Sequence, residues 1–263
     1  MSVARRLLLA GILGVAWPTT AAADPCRDPH GAVRAPILLG AGPAGFAGFA
    51  PTCVEHRLGV DGRATLDGST VRETTGVLSG TYRVSERGFL AGSFDFVRTA
   101  DGQPTRFGPP VLGGHFVVAR GADTQLTMFM RVLFPLEAGS DHLTRVGTES
   151  GLSLLHVPTA RLALHGTVSM PVLWTFVGEQ GTGLVRPRVT VDGELSLFEH
   201  LTVLAGLEVR AVNAPTRLDA VVARGALRFP LGANAELHVE AAAPFAGEGG
   251  KDRQVALGGA ARF

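Results

Sequence analysis

The chain has 263 residues, with 24 Lys and Arg against 23 Asp and Glu, a formal net charge of +1, and charged residues at only 18%. Such a balance offers neither a basic field for nucleic acid nor an acidic tail, so nucleic-acid partners are excluded from the expected functions. The length suits one large domain or two small ones, and no linker-like stretch divides it.

The opening "MSVARRLLLAGILGVAWPTTAAADPC" carries Arg5 and Arg6, an apolar run from Leu7 to Trp17, and small residues at Ala21 and Ala23 before Asp24. That order predicts a secretory signal peptide over residues 1–23. The run is shorter than the roughly 20 residues a membrane-spanning helix needs and lacks a basic stop-transfer flank, which disfavours an uncleaved anchor. The surroundings of Arg5-Arg6 do not otherwise support twin-arginine export. Cys26 and Cys53 are the two cysteines of an exported chain, and one bridge closing an N-terminal segment over 24–53 is expected, with two free thiols as the alternative. Inside that segment, Gly40-Ala41-Gly42-Pro43-Ala44-Gly45 resembles the glycine turn of a dinucleotide-binding domain. That turn works only between a strand and a helix, and Gly48 and Pro51 leave no helix of useful length. Asp61 stands about where a ribose-binding acid would, but within "GVDGRA", which reads as a turn. The glycines therefore serve backbone fit, in a segment that is periplasmic, tucked into a lumen, or an extra strand.

From residue 54 onward, period-two alternation recurs and helical periodicity is nowhere sustained. Twelve strands are predicted, near 54–66, 76–84, 89–98, 111–119, 125–134, 146–157, 161–170, 185–197, 201–212, 219–229, 235–244 and 254–263; ten is compatible with the same pattern. Short connections at 85–88, 120–123, 158–160, 198–200 and 230–234 alternate with longer ones near 67–75, 99–110, 135–145, 171–184, 213–218 and 245–253. Runs of about 9–11 residues suit strands that cross a bilayer at a tilt, whereas the strands of a soluble sandwich are about 5–6 residues long. The domain over 54–263 is thus expected to be an all-β, antiparallel, up-and-down transmembrane barrel with both termini in the periplasm.

The last strand, "QVALGGAARF", sets Val255, Leu257, Gly259, Ala261 and Phe263 on one face. A closing strand that alternates in this way and ends on Phe resembles the C-terminal assembly signal of bacterial outer-membrane β-barrel proteins. The resemblance is to the superfamily and to no particular family. It implies a Gram-negative outer-membrane location, outer-membrane lipids, periplasmic chaperones and the barrel assembly machinery as partners, Phe263 as the assembly signal, and a possible small polar solute.

Two sets of residues are candidates for chemistry. Ser140, Asp141 and His142 lie together in a predicted outer loop, but adjacency does not give the geometry of a nucleophile and its base. His115, His165 and His238 fall on separate strands without metal-site spacing, so neither a metal nor a cofactor is expected. More specific is the polar face of the strands, which places Arg131, Glu149, Arg186, Arg188, Asp192, Glu194, Glu208, Arg210, Arg224, Arg228, Glu236, His238 and Glu240 toward a lumen. Interleaved signs fit either a salt-bridged filling or a narrow polar conduit, and a barrel of about twelve strands lies between the self-filling and channel-forming sizes. The expected function is structural or passive small-solute transport through a porin-like barrel. A lipid-modifying outer-membrane enzyme and a surface-loop receptor or adhesin are the alternatives.

Overall fold

The computed structural model describes residues 25–29, 34–37, 53, 55–100, 107–135, 143–177, 180–212, 217–232, 234–247 and 252–263. The predicted signal peptide, the glycine turn at 40–45 and Ser140, Asp141 and His142 lie outside these residues. The strands are β1 (Arg57–Asp67), β2 (Thr70–Arg83), β3 (Gly88–Ala100), β4 (Val111–Arg120), β5 (Thr124–Leu133), β6 (Leu143–Thr159) and β7 (Leu162–Val177). They continue with β8 (Gln180–Val185), β9 (Arg188–Phe198), β10 (Leu201–Val212), β11 (Arg217–Pro230), β12 (Ala235–Ala246) and β13 (Arg253–Arg262).

Consecutive strands pair antiparallel, except that β8 and β9 both pair with β7, and β1 closes on β13 in a register running from Arg57↔Arg262 to Leu66↔Arg253. Thirteen labelled strands make a twelve-stranded closed barrel, because β8 and β9 are two halves of one. β7 pairs with β9 from Leu162 to Ser169 and with β8 from Val172 to Val177. The break falls at Arg186-Pro187. Pro187 has no N–H for the ladder, and Arg186 N donates to Pro171 O at 3.0 Å instead. Around the closed ring β1–β7 and β9–β13 each pair on both sides, the condition for β structure in hydrocarbon, while β8 pairs with β7 alone.

Period two sorts every strand into two faces. On β1, Leu58 and Val60 point out and Arg57 and Asp61 point in; on β10, Leu207 and Val209 point out and Glu208 and Arg210 point in. The outward set is apolar around the whole circumference, including Phe116, Met128, Met130, Leu152, Val168, Val191, Leu237 and Leu257. In water each such side chain would forgo about 1.5–3 kcal/mol of burial, so this wall requires a lipid environment. Five connections at one end are short: 84–87, 121–123, 160–161, 199–200 and 231–234. Arg57 and Phe263 lie at that end too.

Three expectations need correction. The connection expected at 67–75 is a two-residue turn at Gly68-Ser69, with Gly68 at φ +61°, and β2 starts at Thr70. Asp67-Gly68 is a hairpin signal, which the polar run "TVRETT" after it obscures. The connection expected at 171–184 is mostly strand, since β7 and β8 continue to Val177 and from Gln180. Both hairpins extend past the apolar belt, where backbone pairing continues but no oily outward face is needed, so alternation fades while the strand does not. Asp61 lies mid-strand in β1, its side chain 3% exposed, and not in a turn.

Candidate functional site

The inward faces form a charged interior in linked groups. Toward the long-connection end, Arg131 on β5 pairs with Glu149, its register partner on β6, and Arg188 Nη2 on β9 reaches the other oxygen of the same carboxylate at 2.5 Å. Arg188 Nε also donates to Ser169 Oγ at 2.9 Å. In the middle, Arg224 pairs with Asp192 and donates to Glu208 at 3.3 Å, while Arg210 lies 3.6 Å from Glu208 and 3.9 Å from Asp219. At the short-turn end, Glu236 accepts from Arg57 at 2.6 Å and from Arg262 at 2.7 Å, and Arg228 lies 3.8 Å from Glu240. Glu194 receives Arg34 at 2.7 Å and sits 2.9 Å from His165. Asp61 sits 2.7 Å from His238 Nε2.

Glycines make two of these bridges possible. Gly206 on β10 is the register partner of both Asp192 on β9 and Arg224 on β11, so acid and base meet across a strand that presents no side chain between them. Asp61 and His238 meet in the same way across Gly258 on β13. A Cβ at either glycine would fall on the acid. The interior is filled: Gln125, Glu149 and Glu208 have no exposed surface, and Glu240 and Asp192 have 1%.

Of the charged residues singled out from sequence, Arg131, Glu149, Arg188, Asp192, Glu194, Glu208, Arg210, Arg224, Arg228, Glu236, His238 and Glu240 are buried inside the barrel. Arg186 differs. It is half-buried at the strand break and forms no ion pair among the described residues. Arg34, Arg57, Asp61, Asp219 and Arg262 belong to the interior as well but were absent from that set. Arg57 and Asp61 carried the same signal as the others, alternation against Leu58 and Val60, masked by the turn-like "VDG". Arg34 lies in a stretch without alternation and gave none.

The three strand histidines do not converge. His165 and His238 each face a carboxylate of their own, and His115 is stacked between Phe89 and Phe129, with ring centroids at 4.6 and 5.4 Å. Among the described residues, no group of three or more His, Cys, Asp and Glu is placed to hold a metal ion. Cys26 and Cys53 form a disulfide, buried against Leu155, Ala163 and Val157. At the seam, Phe263 stacks on His56 at 5.8 Å, His56 contacts Tyr82 at 4.9 Å, and Arg262 lies 3.3 Å from Glu55. Burial pushes the Glu55 carboxyl above its ordinary range against the pull of Arg262 and Arg57.

No protein-family model matches the chain, and no curated protein matches it in sequence. Its fold is shared with solved outer-membrane barrels. An outer membrane channel from Pseudomonas putida F1 superposes with a TM-score of 0.60 at 13% identity, over 80% of this chain and 96% of the other. The KdgM porin, solved in complex with disordered oligogalacturonate, gives 0.55 at 11% identity over 78% and 99%, and the NanC porin gives 0.55 at 11% over 78% and 100%. The chain thus has the fold of these barrels, and its apolar outer wall suits a membrane.

Proposed function

We propose that this barrel is a passive channel for small polar solutes, in which the charged interior is the selective region, and that it has no catalytic role. The observation that carries the proposal is the run of ion-paired groups from Arg57 and Glu236 at one end, through Asp192, Arg224 and Glu208, to Glu149 and Arg188 toward the other. Fixed charges in a low-dielectric bore reject apolar molecules, and they stabilise an ion or polar solute that can replace a neighbour at one of the pairs. The porin-type neighbours, one of them captured with a polar oligosaccharide, support the class of cargo. Among the described residues, His165 and His238 take a carboxylate as hydrogen-bond partner and not the hydroxyl of a nucleophile, and His115 is stacked between rings. A receptor role would draw on long outer connections, yet β1 and β2 are joined by a tight turn.

The test is single-channel recording in planar bilayers. The protein should give discrete conductance events, and Glu208→Gln, which removes one interior negative charge, should shift the reversal potential toward anions. A barrel that inserts but gives no events, with its interior filling intact or weakened, overturns the proposal.

A further inference from the structure

We propose that residues 26–29 and 34–37 of the N-terminal segment, with Arg34 and Ile37 at their centre, form a stopper seated inside the barrel, and that its release is the opening step of the channel. This inference rests on the channel function proposed above. The segment is fixed at its base by the Cys26–Cys53 disulfide, which ties it to the root of β1 and packs on Leu155, Val157 and Ala163 beside the short β6–β7 turn. It therefore reaches the interior from the short-turn end. There Arg34 N donates to Cys26 O at 2.9 Å, folding the segment back on its own base. The Arg34 side chain has no exposed surface; it donates to Glu194 at 2.7 Å, to Ala160 O at 2.5 Å and to Arg27 O at 3.3 Å. Beyond it, Pro36 O accepts from Arg228 at 2.5 Å, and Ile37 makes a backbone hydrogen bond to the Asp192 carboxylate.

The adjoining wall, on β10 to β13, is shaped for this occupant. Ile37, 1% exposed, belongs to one apolar cluster with Leu204, Ala220, Val222, Ala226, Ala242 and Ala256. Four of those inward positions on β11, β12 and β13 are alanine, set among the buried arginines and acids of the same strands. Small side chains leave the volume that a chain segment occupies, and packing at protein density leaves no room for a second occupant. The groups that hold the segment, Glu194, Asp192 and Arg228, are the polar wall of the proposed conduit. Arg34 occupies Glu194 as a cationic solute would, so seating the segment closes the path and satisfies its charges at once. Unseating it returns one cation site and two hydrogen-bonding groups to the bore.

The test uses the full-length protein in planar bilayers, in its native form, after reduction of the disulfide, and as Arg34→Ala with Arg34→Lys as the conservative control. Heat-modifiable migration in detergent verifies that each variant is a folded barrel, and in Arg34→Ala the Glu194 carboxylate keeps His165. Native protein and Arg34→Lys should open rarely. Reduced Arg34→Ala should open about a hundredfold more often, the scale expected when one partner of a buried charge pair is removed. Equal conductance in all forms overturns the stopper and leaves the channel function standing. Silence in all forms overturns the channel function and the opening step together. Seating is read separately, by labelling the thiol of Ile37→Cys with a charged maleimide while the Cys26–Cys53 disulfide is kept. Protection that is lost on adding Arg34→Ala supports the seat, and rapid labelling with Arg34 intact overturns it.

Discussion

At Gly206 a single hydrogen stands where Asp192 and Arg224 must meet, and the cost of filling that space can be measured. Gly206→Ala should displace the carboxylate and destabilise the barrel by roughly 1–3 kcal/mol, the usual range for overpacking. Gly193→Ala, on the neighbouring strand, meets nothing nearer than Ala205 O at 3.8 Å. It should be neutral or slightly stabilising, because alanine loses less backbone freedom on folding. Urea unfolding from lipid vesicles compares the two; equal effects would show that the glycine gap does not matter. Glu55 allows a second residue-level test. Its carboxyl is raised by burial, so the folded state binds that proton more tightly than the unfolded state. The group therefore weakens folding at pH values above its folded pKa, and the penalty fades as pH falls toward and below the ordinary carboxylate range. Glu55→Gln should stabilise at pH 8 and have no effect below about pH 4, since Arg262 keeps Glu236. A loss of stability at pH 8 would mean that the contact with Arg262 outweighs the burial.

Among the strands, β13 closes the barrel, pairing with β1 along its whole length, and Phe263, just past its end, is stacked on His56. Deleting Phe263, or replacing it with Asp, should lower the yield of heat-modifiable barrel in outer membranes several-fold, read by fractionation; unchanged insertion would remove Phe263 from the assembly signal. Most strands were legible because two physical constraints act on them together. A strand inside the bilayer needs an apolar outward residue at every second position, and a filled interior needs a polar or small one between. Where the first constraint lapses, as along Thr70–Thr75 of β2 and Gln180–Val185 of β8, hydrogen bonding alone sustains the strand and the pattern leaves no trace. The charged side of the interior was legible for the same reason. Its architecture was not, since Gly206, Gly258 and the alanines around Ile37 act by what they lack, and small residues read alike in a turn, a loop or a packed wall. Arg34 was beyond reach because its partner Glu194 lies 160 residues away, and only closure brings them together.

Over the whole molecule, two environments are separated by one strand thickness, so adjacent residues answer to opposite rules. Leu207 and Glu208 are neighbours on β10; the first is 49% exposed on the outer wall and the second has no exposed surface inside. An arginine at Leu207 would stand in hydrocarbon, which costs roughly 2–4 kcal/mol near the bilayer midplane. A glutamine at Glu208 keeps an oxygen acceptor in place, and neither cation is stranded: Arg224 retains Asp192, and Arg210 retains Asp219 at 3.9 Å. Leu207→Arg is therefore expected to depress folding into lipid vesicles far more than Glu208→Gln, although the second change alters the formal charge of a fully buried site. In detergent micelles, whose apolar layer deforms more readily around a charge, the gap between the two should narrow. Harmless Leu207→Arg together with failed insertion of Glu208→Gln would mean that the faces are inverted, with the leucines lining the bore, and the charged conduit would fall with them.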